Sequence, residues 1–257
     1  MIVHYTHPYL LNPPHKVTID LVGIGGTGSQ VIRGLARMNE ALVALGHPGV
    51  HVRSWDADVV SAANIGRQLF SESDIGMNKA IVLTTRVNRY FGLDWEAQPL
   101  YYGGQSTSNI LITCVDSAKA RVMLSMKIEG MKNNKTEPTD KKFYWLDLGN
   151  TQKSGQCILG TLYPVQQPKR STNKTRAILK TVIKKFPQLK NMIGKDDDQG
   201  PSCSLAEALE KQDLYINSTL AEFGCNLLWK LFREGMIRYH GCYVNLDSFI
   251  VNPIKIK

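Results

Sequence analysis

A glycine-rich turn between an apolar strand and a helix constrains this chain more than any other feature: residues 20–38 read DLVGIGGTGSQVIRGLARM. Gly23, Gly25, Gly26, Thr27 and Gly28 fall in the spacing G-x-G-x-x-G. Small residues let backbone approach a phosphate, and the first turn of the following helix offers unbonded N–H groups and a positive dipole end. The turn therefore predicts a nucleotide site built into an α/β sheet. It leaves open whether the turn receives a dinucleotide, ATP or, as a tight turn without a ligand, nothing at all.

The rest of the first half fits that frame. Apolar strands are predicted at 16–24, 51–56, 109–116, 142–150 and 155–165, with amphipathic helices at 27–45 and 78–92, the second ended by Gly92. This alternation predicts an α/β, Rossmann-like, mostly parallel sheet with helices on both faces. After residue 165 a basic, proline-punctuated stretch leads to an apolar-faced segment beginning LYINSTLAEFG, and the chain closes on the alternation of a β-hairpin. The expected organisation over 1–257 is one domain. It comprises a nucleotide-binding core at 16–165, a crossover at 166–203, and C-terminal helices with a β-hairpin at 204–257.

Composition narrows the class. With 257 residues, 43% of them hydrophobic, the chain can bury a substantial core. No apolar run approaches the roughly 18–20 residues of a membrane span, and the N-terminus lacks the pattern of a secretory signal, so a cytoplasmic protein is expected. The five cysteines, Cys114, Cys157, Cys203, Cys225 and Cys242, are odd in number and contain no C-x-x-C pair. That argues against a disulfide framework and a structural zinc site. The net charge of +9 and pI near 9.3 permit acidic partners without selecting one. Much of the excess lies in 168–195, a segment read as a solvated face or crossover or as a docking surface; it lacks the interleaved aromatics of a base-stacking surface, so nucleic acid is not expected, although such a role for the segment is compatible with every reading below.

The residues beyond the turn discriminate among nucleotides. Asp56 ends the second strand, where a carboxylate accepts hydrogen bonds from a ribose in NAD and ATP sites alike. The block 56–80 then concentrates Asp58, Asn64, Arg67, Gln68 and Lys79. An arginine that can fork onto phosphate oxygens and a lysine acting as a point charge suit a triphosphate. Asp116, closing the strand at 109–116, would lie on the ligand edge of the sheet, where a carboxylate can hold Mg²⁺. Singly, Arg67 and Lys79 also read as surface charges, and Asp116 as a helix cap.

In GIGGTG (23–28), the D-x-D…N-x-x-R-Q block (Asp56, Asp58, Asn64, Arg67, Gln68), G-x-x-K-A (76–80) and CVDS around Asp116, the sequence resembles the ThiF/MoeB/HesA superfamily, which includes the adenylating domains of ubiquitin-activating enzymes. The segment PSCSLAEALEKQDLYINSTLA is similar to the ThiF-family protein of the plasmid-associated PRTRC system. The resemblance spans roughly 16–250. It implies binding of Mg-ATP and adenylation of the C-terminal glycine carboxylate of a ubiquitin-like or sulfur-carrier protein, with release of pyrophosphate. Carried onto this chain, it implies that Asp56 holds the ribose, Asp58 and Asn64 support the site, Arg67 and Lys79 grip phosphates, and Asp116 holds Mg²⁺. A homodimer is expected from the same resemblance, with a conjugation-pathway or peptidase partner as a further option.

Many relatives pass the acyl group on to a crossover cysteine, which makes Cys203 the candidate thioester nucleophile. It precedes SLAE, whose Ser204 and Glu207 have capping-box spacing, and a helix N-terminus favours the thiolate, whereas the aspartates of KDDDQGP oppose it. The chain departs from sulfur-carrier activators in lacking paired C-x-x-C motifs. It also has no arginine in residues 1–32, leaving Arg33 or Arg37 to fill any trans-acting role. The alternative reading is a catalytically idle ThiF-like scaffold that binds a ubiquitin-like partner. An NAD-dependent oxidoreductase would need a proton relay in the second half, where the one histidine, His240, reads as a surface residue.

Overall fold

The computed structural model describes residues 2–104, 106–130, 141–191 and 205–257. In chain order the strands are β1 (Ile2–Tyr5), β2 (Val17–Val22), β3 (Val50–Trp55), β4 (Glu96–Gln98), β5 (Ile110–Thr113), β6 (Tyr144–Asn150), β7 (Ser154–Thr161), β8 (Lys174–Thr175), β9 (Met236–Ile237), β10 (Tyr239–Asn245) and β11 (Ile250–Lys255). The α-helices are α1 (Pro8–Leu11), α2 (Gly26–Ala44), α3 (Lys79–Phe91), α4 (Ala118–Gly130), α5 (Val182–Lys185), α6 (Leu205–Lys211) and α7 (Ile216–Glu234).

Eight strands form one sheet in the order β11-β10-β7-β6-β5-β2-β3-β4. From β6 through β5, β2 and β3 to β4 every pairing is parallel, and β7, β10 and β11 continue the sheet antiparallel. The predicted strands, the helices at 27–45 and 78–92 and the closing hairpin are all present. Gly92 ends α3 in the left-handed conformation, as its position predicted.

Helices cover both faces. Val31, Ile32, Leu35 and Met38 of α2, Leu83 and Val87 of α3, and Leu220, Leu228 and Leu231 of α7 share one buried cluster with Ile19, Leu21 and Leu146 of the sheet. On the other face Val122, Leu124 and Ile128 of α4 and Val182 and Ile183 of α5 pack with Val22, Leu111, Trp145 and Ile158. The pairwise alternation of Ile19/Leu21 against Val22 follows from the two-residue period of a strand. Among the described residues no helix is long and apolar enough to cross a membrane.

Two features were not expected. A second, three-stranded sheet, β8-β1-β9, ties the N-terminus to the crossover and to the end of α7. Helix α4 escaped prediction because its pattern is broken: Arg121 and Ser125 are buried in it while Met123 and Met126 are exposed.

Candidate active site

The order β3-β2-β5 contains a topological switch. From β2 the chain passes through α2 to β3 on one side, and it later returns to place β5 on the other side. Ligands of open α/β sheets bind beyond the carboxyl ends of the strands at such a point. The three strands end level, with Val22 paired to both Trp55 and Thr113, so Gly23, Asp56 and Cys114 emerge side by side. Backbone bonds lock the exits: Gly23 N–H donates to Trp55 O at 2.9 Å and Cys114 N–H to Val22 O at 2.8 Å.

Gly23 turns the chain at φ +87°, and a Cβ there would lie 2.9 Å from the carbonyl oxygen of Cys114. At Gly28 a Cβ would collide with the carbonyl oxygen of Gly23. Gly25 caps α2 without any side-chain bond, so the first-turn N–H groups of the helix are uncapped. The Thr27 hydroxyl instead donates to Asn217 Oδ1 at 2.8 Å, and a Cβ on Gly26 would sit 2.6 Å from the Asn217 amide nitrogen.

Asp56 accepts from Ile24 N–H at 2.6 Å and from Asp58 N–H at 2.9 Å. Burial pushes its carboxyl above the ordinary value, against the opposing effect of those two N–H groups and of Lys79. Lys79, buried at the start of α3, places Nζ 3.1 Å from Asp58 Oδ2. Asn78 stitches this corner together. Its amide donates to the carbonyls of Asp56 and Asp58 at 2.9 and 3.1 Å, and its oxygen caps α3 by accepting from Ile81 N–H at 3.1 Å. Arg86 then clamps the far side of the block, forking onto Asp74 at 2.7 and 3.0 Å and donating to Leu69 O at 2.6 Å.

The remaining block residues divide by role. Asn64 is buried and its Oδ1 accepts from Ser61 N–H at 2.9 Å, which fixes a 3-10 turn over Ala62–Asn64. Arg67 donates through Nη1 to Gln212 Oε1, which also accepts from the Asn217 amide at 2.8 Å. A continuous chain of bonds thus runs from Thr27 through Asn217 and Gln212 to Arg67. Burial lowers the pKa of the Arg67 guanidinium. Among the described residues, Arg67 Nε and Gln68 Oε1 are the buried side-chain polar atoms left without a partner. The Gln68 oxygen faces the glycine loop, 4.0 Å from where a Cβ on Gly25 would stand.

The strand ending at Thr113 is shorter than predicted, so Asp116 sits exposed in the loop before α4. It makes no hydrogen bond or ion pair among the described residues, and Ser117, not Asp116, caps α4 by accepting from Ala120 N–H at 3.1 Å. A buried ion pair underlies this loop. Arg121 Nε lies 3.1 Å from both oxygens of Asp147, and its Nη2 donates to Val115 O at 2.6 Å. Among the described residues no group of three or more His, Cys, Asp or Glu could hold a metal. A single free carboxylate does suit Mg²⁺ carried largely by phosphate oxygens and water.

Asn78, Arg86, Arg121, Asp147, Gln212 and Asn217 were not singled out from the sequence, because each acts on partners distant in the chain. Only Asn78, directly before Lys79 and a helix, carried a local capping signal. His240 is buried, not a surface residue as expected: β10 turns it inward and Nδ1 bonds Leu159 O at 2.9 Å. Cys203, Ser204 and the Glu207 side chain lie outside the described residues. Cys157, Cys225 and Cys242 are buried free thiols, and burial pushes Cys225 up to about 12 and Cys242 up to about 11.

The fold is that of known proteins. PaaA matches with a TM-score of 0.58 at 14% identity, over 96% of this chain and 65% of PaaA. MccB of E. coli matches with a TM-score of 0.59 at 14% identity, over 96% of this chain and 63% of MccB. A structure of E. coli MccB with ATP matches with a TM-score of 0.56 at 13% identity, over 96% of this chain and 64% of that one. The chain thus spans less than two thirds of the length of each of these structures. No curated protein matches the sequence. The glycine loop, the block from Asp56 to Lys79 and Asp116 all fall within residues 15–134, and those residues match the ThiF family.

Proposed function

We propose that the chain is an ATP-dependent adenylyltransferase that activates the C-terminal glycine carboxylate of a ubiquitin-like or sulfur-carrier protein. The observation that carries this reading is the pair of orphaned buried atoms, Arg67 Nε and Gln68 Oε1, beside a glycine loop whose helix N–H groups are uncapped. Buried polar atoms are nearly always satisfied, so two adjacent exceptions mark a place for a polar ligand.

In this reading the N–H groups from Gly25 to Gly28 and the Arg67 guanidinium receive phosphates, and Asp56 accepts the ribose hydroxyls. Lys79 exchanges Asp58 for a phosphate oxygen. Asp116 would hold Mg²⁺, which supplies charge neutralisation on the phosphates. An oxygen of the substrate carboxylate attacks the α-phosphorus, the bond to the bridging oxygen breaks, and pyrophosphate leaves. The carboxylate is itself the nucleophile, so no general base is required; the residues position it and stabilise charge. Cys203 would then attack the acyl adenylate as thiolate, forming a thioester and releasing AMP. Within the superfamily we place the chain with the PRTRC-system proteins, as a homodimer. Arg33 and Arg37 lie 3.3 and 3.6 Å from Glu222 within the chain, so a trans-acting role for either would require that pairing to open.

ATP–pyrophosphate exchange tests the reading. Exchange should require a carrier protein with a free C-terminal glycine and should fall about 10²–10³-fold in Arg67→Ala and in Asp116→Ala. Loss of the carrier–enzyme adduct in Cys203→Ala with exchange retained would locate the thiol step. ATP binding without exchange for any carrier would favour the idle scaffold, and absence of ATP binding would remove the nucleotide assignment.

A further inference from the structure

Between residues 166 and 191 the chain carries eight cations, Lys169, Arg170, Lys174, Arg176, Lys180, Lys184, Lys185 and Lys190, and no Asp or Glu. None of the eight enters an ion pair among the described residues. The segment is nonetheless built into the fold. Leu179, Val182 and Ile183 are buried, and Phe186 and Leu189 pack against the α4 side of the core. Anchored in this way, the segment exposes Lys180, Lys184 and Lys190. Burial, together with repulsion from Lys180 and Lys257, lowers the pKa of Lys185, so Lys180, Lys185 and the C-terminal Lys257 share one surface.

The position of this surface separates it from the nucleotide. Thr161, the last residue of β7, pairs with Tyr144, the first of β6, which is level with Ile110, the first of β5. The crossover is tied to that end by the bond from Thr161 N–H to Leu179 O at 3.1 Å. It therefore begins at the end of the strands opposite the glycine loop. Lysine is depleted from the centres of protein–protein interfaces, which need apolar and aromatic anchors, and the large apolar side chain exposed between 166 and 191 is Ile178. Lysine and arginine without intervening acids are the residues that neutralise a phosphate backbone.

We infer that the crossover surface formed by Lys180, Lys184, Lys185, Lys190 and Lys257 binds the phosphate backbone of a nucleic acid, independently of sequence and of the nucleotide site. This replaces the expectation from the sequence that nucleic acid is not a partner. That expectation rested on missing aromatics, and backbone neutralisation does not need them. The inference does not rest on the adenylation reading.

Fluorescence anisotropy of the full chain with a labelled single-stranded oligonucleotide of about 30 nucleotides tests it, with a dissociation constant of about 1–100 µM expected at low salt. In Lys180→Glu/Lys184→Glu/Lys190→Glu, affinity should fall at least about tenfold and the log–log salt slope should shrink by about 2. A charge-matched control, Arg89→Glu/Lys230→Glu/Arg233→Glu, alters exposed cations on α3 and α7. It should stay within about twofold of the unaltered chain. An unchanged thermal midpoint in both variants establishes that they are folded. The inference is overturned by no binding, by equal losses in the two variants, or by polyglutamate binding as tightly as the oligonucleotide with the same dependence on the three lysines.

Discussion

Asp20 in β2 and Asp56 at the exit of β3 are acids of the same parallel strand pair, and each is the centre of a charged cluster. Asp20 is fully buried. One oxygen accepts from Arg53 Nε at 3.1 Å, Ser106 Oγ at 3.1 Å and Trp55 Nε1 at 3.3 Å; the other accepts from the Tyr102 hydroxyl at 3.0 Å and Lys142 Nζ at 3.4 Å. Lys142 also donates to Ser108 Oγ at 2.8 Å, and Arg53 donates to Thr107 O, so Tyr102 and residues 106–108 are pinned over a part of the sheet. Every group in this cage is satisfied. At the strand exits and the glycine loop the pattern is the reverse: Lys79, beside Asp56, has one exposed partner, Asp116 has none among the described residues, and Arg67 Nε and Gln68 Oε1 are buried without any. A satisfied buried cluster stabilises a fold, whereas an unsatisfied one at a strand exit reserves its hydrogen bonds for a ligand.

The largest effect should come from breaking the satisfied cluster. Asp20→Ala leaves Arg53 and Lys142 without their buried partner and should cost about 3–5 kcal/mol of stability in denaturant unfolding. Arg67→Ala removes the orphaned Nε together with one bond, to Gln212, and should cost about 0.5–1.5 kcal/mol. Equal losses in the two variants would erase the contrast between the clusters.

An intermediate effect is expected at Asn217, which joins the glycine loop to Gln212 and Arg67. Asn217→Ala unties both ends and should weaken ATP binding about tenfold by calorimetry. A change in unfolding free energy with unaltered ATP affinity would make the network purely structural.

The smallest effect is a pH dependence at Asp56. Burial raises its pKa, so the folded chain takes up this proton at a higher pH than an ordinary carboxylate near about 3.9 does. A protonated Asp56 is a poorer acceptor for ribose hydroxyls. ATP affinity should therefore fall as pH is lowered through the raised value, beginning above the ordinary carboxylate range. The sign for stability is opposite: the unfolded chain ionises first as pH rises, so this group lowers stability across the interval between the two values. Asp56→Asn should flatten both profiles, and an unchanged ATP profile in that variant would place the titration elsewhere.

The alternation of strands and helices, the glycine turn, the strand-end position of Asp56 and the helix stop at Gly92 are local signals, and the sequence by itself determined them. They depend on hydrophobic period and on backbone conformations few residues adopt. What the block residues do was decided only by tertiary structure. Arg67 is bonded to Gln212, Thr27 is tied to Asn217, and His240 is turned inward. Helix α4 was illegible because the burial of Arg121 is compensated by Asp147, a residue of β6. The cage around Asp20 was hidden for the same reason: its partners lie between 33 and 122 positions away. Secondary structure follows from near neighbours in sequence. Whether a charge is satisfied, orphaned or left facing solvent follows from what the fold brings against it.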